Sequence, residues 1–157
     1  DAACDRGTAV HELCNAYTLG YGVNVEPKYQ GYFDSFKSWA QDKELLSNPG
    51  RMFDDDQMIT GECDALYDDG DGIVLVDFKT SAREGKTWPL QGVAYANLLY
   101  IFGIKVYRIL FVKLDKKGKP PVEFEYPKKD YEEKWNRCLQ VYRDFFDGKQ
   151  IPFEEII

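Results

Sequence analysis

The sequence predicts an α/β domain in which helices flank a mixed sheet, and three observations carry that reading. Apolar residues recur at helical spacing in four separate stretches, four other stretches read as strands, and the two kinds alternate along the chain with no repeat or linker between them. With 157 residues, 44% of them hydrophobic, the chain is long enough for one domain and apolar enough to give it a core. Residues 1–157 are therefore read as a single unit. The chain opens on Asp1 with residues that already look helical, which predicts an N-terminally trimmed piece.

From Asp5 to Leu19 the residues Ala9, Val10, Leu13, Ala16 and Tyr17 fall at helical spacing, and Gly20 and Gly22 end the pattern. A second helix carries Tyr29, Tyr32, Phe33, Phe36, Trp39 and Ala40 on one stripe. After the turn Asn48-Pro49-Gly50, the segment Met58 to Tyr67 reads as one strand, and Ile73 to Lys79 as its return partner. The intervening Asp68-Asp69-Gly70-Asp71-Gly72 predicts a hairpin turn. Trp88, Gln91, Tyr95, Leu98, Leu99 and Phe102 form a third helical stripe closed by Gly103. Strands are predicted at Lys105 to Leu114 and Val122 to Tyr126. A last helix is predicted over about Lys129 to Asp147, with Tyr131, Trp135, Cys138, Leu139, Tyr142, Phe145 and Phe146 facing inward.

Composition removes several classes of function. No run of 18 apolar residues and no signal-peptide pattern is present, so no membrane association is expected and a soluble, cytoplasmic protein is predicted. The four cysteines are scattered without a CxxC pair, which speaks against a disulfide or metal framework. A net charge of −7 excludes a general nucleic-acid coat, because non-specific affinity rests on many cation–phosphate contacts. It leaves room for a nuclease, whose metal-binding carboxylates add negative charge at the site itself; a local basic rim is then required. No Walker-type loop or HExxH motif supports a nucleotide triphosphatase or a zinc protease.

Side chains alternate along a strand, so Asp77 and Lys79 project from one face while Val74, Val76 and Phe78 project from the other. If the hairpin pairs through its turn, Asp64 shares the face of Asp77; a one-residue slip would send it to the opposite side. Converging carboxylates suit a hard divalent cation, and the Lys79 ammonium can orient water or stabilise transition-state charge. A single Asp-x-Lys is more simply a surface ion pair, but this one lies in the apolar run Ile73 to Phe78, where unpaired charge is expensive. The sole histidine, His11, sits one residue off the first apolar stripe, and Gln91 and Tyr95 share a helix face; alone, each reads as ordinary helix-edge chemistry. Glu62 alternates onto the Asp64 face, either exposed or supporting the carboxylates. Arg83, Lys86 and Trp88, in the loop and helix start after Lys79, are candidates to hold phosphate and stack a base.

Taken in order, Gly7-Thr8-x-x-His11, Gly61-x-x-Asp64, Asp77-x-Lys79-Thr80 and Gln91-x-x-x-Tyr95 resemble the RecB-like branch of the PD-(D/E)XK nuclease superfamily, over roughly residues 5 to 113. That branch includes phage exonucleases and CRISPR-associated nucleases. The resemblance implies a restriction-endonuclease-like core (α-β-β-β-α-β). It also implies Mg²⁺ or Mn²⁺ held by His11, Asp64, Asp77 and the backbone carbonyl of Phe78. Lys79 is then the catalytic lysine, with Gln91 and Tyr95 positioning it or the nucleic-acid backbone. Some members carry an iron–sulfur cluster on one early and three late cysteines. Here only Cys138 follows the core helix, so none is expected. The implied partner is DNA, as a single strand or a duplex end, with a further copy or a separate protein as possible company. The alternatives are a nuclease-like nucleic-acid-binding module that does not cut and a structure-specific endonuclease.

Overall fold

Helix α1, Ala2–Thr18, begins the described part of the protein, which in this computed structural model is residues 2–146. It buries Val10 and Cys14, the inner edge of its apolar stripe. A short 3-10 turn at Pro27–Tyr29 leads into α2, Gln30–Ala40, whose Tyr32, Phe33, Phe36, Trp39 and Ala40 are all buried. The ring of Phe36 meets that of Phe78 edge-on at 5.1 Å between centroids and Trp39 meets the same ring at 5.6 Å, so α2 is held to the sheet by aromatic packing.

Among the described residues seven strands follow: β1 (Leu46–Ser47), β2 (Met52–Asp54), β3 (Ile59–Gly61), β4 (Ala65–Asp68), β5 (Ile73–Lys79), β6 (Val106–Lys113) and β7 (Val122–Glu125). The main sheet runs β1-β4-β5-β6-β7, while β2 and β3 form a separate two-stranded sheet. All neighbours in the main sheet are antiparallel except β5 and β6, which are parallel. Parallel neighbours need a crossover, and α3 (Trp88–Ile101) supplies it. The sheet is therefore mixed and the fold is α/β.

The strand predicted as Met58 to Tyr67 is broken. Its first half pairs with β2 and its second half with β5, and Glu62, Cys63 and Asp64 lie in the gap between the two sheets. The two-residue β1 carries too little pattern to be visible in the sequence, whereas β2 falls in the short extended piece that the sequence offers between the Asn48-Pro49-Gly50 turn and Met58. The hairpin turn is found where expected, with Asp68 opposite Ile73 and positive φ at Gly70.

Alternation along β5 sorts the core into two halves. Val74, Val76 and Phe78 pack with Val10, Phe36 and Trp39, whereas Leu75 packs with Val93, Leu98, Leu99, Ile109 and Phe111 on the α3 side. Helix α3 is apolar on nearly every face because it lies between the sheet and α4 (Lys128–Phe146). Its approach to β6 depends on Gly92, where a Cβ would come within 2.5 Å of Ile109 Cγ2.

Helix α4 corrects the expectation of a fully inward stripe. Tyr131 and Trp135 reach the α3 cluster and Leu139 is half-buried, but Cys138, Tyr142 and Phe145 are exposed. The later turns lie instead beside the β2–β3 hairpin, where Leu139 and Tyr142 line a groove with Met58 and Ile59. The side chain of Phe146 and residue Asp147, also placed in this helix by the sequence, lie outside the described residues. Among the described residues no helix is long and apolar enough to cross a membrane.

Candidate active site

Strand β5 is central, and its last turnable positions carry the charges. Asp77 has the same parity as Leu75, so it points away from the aromatic cluster of α2, and only 3% of it is exposed. Lys79 follows on the same face. Its ammonium lies 5.1 Å from the Phe111 ring centre and 5.8 Å from that of Trp88, so aromatic faces flank the charge. The Lys79 Nζ is 2.7 Å from Asp77 Oδ1, but the approach angle is not that of a hydrogen bond. Asp77 Oδ1 is thus buried with a cation beside it and no hydrogen-bond donor aimed at it among the described residues.

Asp64 arrives from the break between β3 and β4. The register Ala65↔Val76 places it next in line, opposite Asp77, and its own N–H still donates to the Val76 carbonyl at 3.1 Å. The side chain then takes over from the ladder: Oδ2 accepts the Phe78 N–H at 2.6 Å, and Oδ1 is 2.7 Å from His11 Nδ1. The backbone of Phe78 therefore runs directly past the paired carboxylates while its ring stays in the opposite core half. His11 reaches this point from α1, one-third exposed.

Lys79 is further held from α3. Its Nζ donates to Gln91 Oε1 at 3.0 Å, and Gln91 Nε2 donates to Tyr95 Oη at 2.6 Å, a relay made possible by the four-residue helical spacing. Gly61 explains how Tyr95 fits. A Cβ at position 61 would stand 2.7 Å from Tyr95 Cε1, so only glycine lets β3 lie against that ring.

The electrostatics follow from two carboxylates sharing a buried corner. Burial first, and the neighbouring charge of Asp64 second, push the Asp77 carboxyl up to about 7 from 3.8, against the pull of Lys79 and His11. Burial alone would lower the His11 pKa, but its hydrogen bond to Asp64 and the charges of Asp64 and Asp77 outweigh this and raise it. Burial and the Asp77 charge hold the Tyr95 phenol up at about 12, so it remains a neutral partner for Gln91.

These groups open into one cavity of about 740 Å³, also lined by Arg6, Gly7, Thr8, Glu12, Asn15, Asn48, Arg51 and Glu62. His11, Asp64, Asp77, Lys79, Gln91 and Tyr95 are brought together in it; Glu62 lines it and accepts a hydrogen bond from Asn48. Trp88 also lines the cavity, but it is 7% exposed and stacked on Phe111 at 5.6 Å, which leaves little ring surface for a base. Arg83 and Lys86 are exposed and stand outside the cavity lining, their loop tied down through Glu84, which accepts the Tyr126 hydroxyl at 2.6 Å. Arg6 and Arg51 were missed in the sequence. Ala3, Gly7, His11 and Asn15 recur at four-residue intervals and line the cavity, marking one stripe of α1 as site-facing, and Arg6, three residues after Ala3, borders that stripe. Arg51 follows a turn signal, where no periodicity exists to read.

Among the described residues no three His, Cys, Asp or Glu side chains form a ready metal cage. The donor set still suits a divalent cation: two carboxylates, one of them with an orphaned buried oxygen, and an imidazole beside them. Neither family models nor curated proteins yield a match to this chain.

Proposed function

We propose that this chain is a Mg²⁺- or Mn²⁺-dependent nuclease of the RecB-like PD-(D/E)XK kind, with a restriction-endonuclease-like core, which hydrolyses phosphodiester bonds in DNA and prefers strand ends. The observation that carries the reading is Asp77, a carboxylate 3% exposed, with an oxygen lacking a hydrogen bond, set beside Asp64, His11 and Lys79 at the floor of an open cavity. Burial and the second carboxylate of Asp64 outweigh what the Lys79 ammonium at 2.7 Å offsets, and a bound cation would remove the remaining cost of keeping Asp77 charged.

In this reading Asp64, Asp77, His11 and the Phe78 carbonyl hold the cation. When bound, it polarises a phosphate oxygen and lowers the pKa of water. Lys79 keeps its ammonium at the carboxylates through Gln91, fixed in direction before substrate arrives, and meets the negative charge that grows on the phosphate in the transition state. Tyr95 holds Gln91 in the orientation that accepts from Lys79. Trp88 and Phe111 exclude water from one side of the Lys79 amine. The preference for ends follows from charge: a chain of net −7 has little broad basic surface for gripping the interior of a duplex, whereas an end can enter a confined cavity. A non-cutting descendant has no evident use for two carboxylates and a lysine in so costly a position.

The test is cleavage of labelled single-stranded DNA, linear and covalently circular, with Mn²⁺, Mg²⁺ or chelator. Metal-dependent loss of the linear form with the circle spared is expected. Equal loss of both makes the domain an endonuclease, and no loss with either metal overturns the nuclease reading.

A further inference from the structure

The cavity has a charge problem that the site residues do not solve. Glu12, Glu62, Asp64 and Asp77 line it, and Lys79 is already committed to Asp77 and Gln91. A phosphodiester entering this space meets four carboxylates, and a single divalent ion does not offset them all. The exposed cations after β5 do not help, because Arg83 and Lys86 stand outside the lining. Two other cations do line it: Arg6 from α1 and Arg51 from the connection between β1 and β2.

Neither guanidinium is spent in an ion pair among the described residues. Arg6 makes only a long contact, Nε to Thr80 Oγ1 at 3.4 Å, which tethers it next to the end of β5, one residue past Lys79. Arg51 is exposed and is set in place by the turn before it, where Asn48 accepts the Gly50 N–H and donates to Glu62. Two arginines without an ion pair among the described residues, brought from separate elements into the lining of one acidic cavity, have the chemistry of phosphate recognition: the guanidinium matches two phosphate oxygens at once and stays charged.

We infer that Arg6 and Arg51 are the residues that bind the phosphodiester backbone of the substrate strand and position it over Asp64, Asp77 and Lys79, while Arg83 and Lys86 make no such contact. This rests on the nuclease reading for what happens to the strand, but not for whether it is bound.

The two can be separated by measuring binding without cleavage. A short fluorescent single-stranded DNA and its RNA counterpart are titrated by anisotropy in chelator against the wild type, Arg6→Ala, Arg51→Ala, the double variant, Arg51→Lys and the pair Arg83→Ala/Lys86→Ala. Each alanine is expected to weaken binding roughly tenfold at low salt and to flatten the log–log salt dependence by about 0.7, the value for one lost contact to a single strand. Arg51→Lys should keep the salt slope and lose part of the affinity; the Arg83/Lys86 pair should change affinity less than about twofold. In cleavage assays the arginine variants should raise KM more than they lower kcat, a split that a merely misfolded protein does not give. Arg51 is exposed, so its variant serves even if Arg6→Ala melts early. Unchanged binding and salt slope in Arg51→Ala overturn the inference, as does a larger loss in the Arg83/Lys86 pair. If arginine-dependent binding is present and no metal supports cleavage, the clamp stands and the nuclease reading fails. If cleavage is present and indifferent to both arginines, the reverse holds. Tighter binding of the RNA probe would assign the clamp to RNA.

Discussion

Replacing Asp77 by Asn should stabilise the metal-free protein while destroying metal-dependent activity. A carboxyl raised from 3.8 to about 7 prefers its protonated form in the folded state by about 4 kcal/mol. The sign follows from linkage. Below the unfolded value both states hold the proton and nothing is lost. From about pH 4 to pH 7 the unfolded chain has released it and the folded chain has not, so stability falls; above about pH 7 the loss is complete. Asn carries no such penalty, and the pull of Lys79 is already contained in the raised value, but its buried amide must be satisfied, which costs roughly 1–3 kcal/mol. A net gain of about 1–3 kcal/mol near pH 8 remains, which in a domain of this size raises Tm by about 2–4 °C per kcal/mol. Differential scanning calorimetry in chelator from about pH 4 to pH 8 reads it, and the gain should shrink steadily to nothing or below at the acid end. Adding Mn²⁺ near pH 8 should raise the Tm of the wild type and not of the variant. A variant less stable than wild type near pH 8, or a gain independent of pH, would refute the view of Asp77 as a carboxylate waiting for a cation.

Lys79→Ala should remain folded and bind Mn²⁺, measured calorimetrically, while cleavage drops by roughly a hundredfold or more, since the ammonium acts on transition-state charge; near-native turnover would remove it from the chemistry. His11→Ala should lower activity and move the metal preference from Mn²⁺ toward Mg²⁺, because imidazole favours the transition metal; an unchanged ratio of rates with the two metals leaves His11 structural. Gly61→Ala places a methyl 2.7 Å from Tyr95 Cε1 and 3.1 Å from Leu98 Cδ1. It should cost roughly 1–3 kcal/mol of stability through overpacking. It should also lower kcat about tenfold or more by displacing the Tyr95–Gln91–Lys79 relay, and a variant as active as wild type would show that the relay is not needed.

What the sequence could disclose was whatever depends on short-range periodicity. The helical stripes of α1 to α3 and the alternation along β5 are local patterns, and the structure keeps them: Phe78 on one side, Asp77 and Lys79 on the other. Gln91 and Tyr95 were legible as a pair because four residues is one helical turn. What could not be read depends on which distant element covers which. Trp88, at the helix start just past Lys79, is placed to stack a base, but Phe111 from β6 packs on its ring. Tyr142 and Phe145 have the spacing of core residues, and their turns of α4 lie past the part that packs on α3. Arg6 and Arg51 enter one cavity from elements more than forty positions apart, a juxtaposition that no local window contains.

The break between β3 and β4 joins these threads. Had Met58 to Tyr67 formed one strand, Asp64 would have stayed in the ladder opposite Asp77, on the α3 side of the sheet with Leu66 and Leu75. Because the chain changes sheets at Glu62 to Asp64, the Asp64 side chain is released to the end of the main sheet, where it accepts the Phe78 amide and meets His11. The site thus straddles the sheet end and draws on both layers: His11 and Arg6 from the α1 side, Gln91 and Tyr95 from α3, with β5 supplying Asp77 and Lys79 between them. The same break puts Gly61 against Tyr95, so the bend that frees one carboxylate also seats the residue that aligns the lysine.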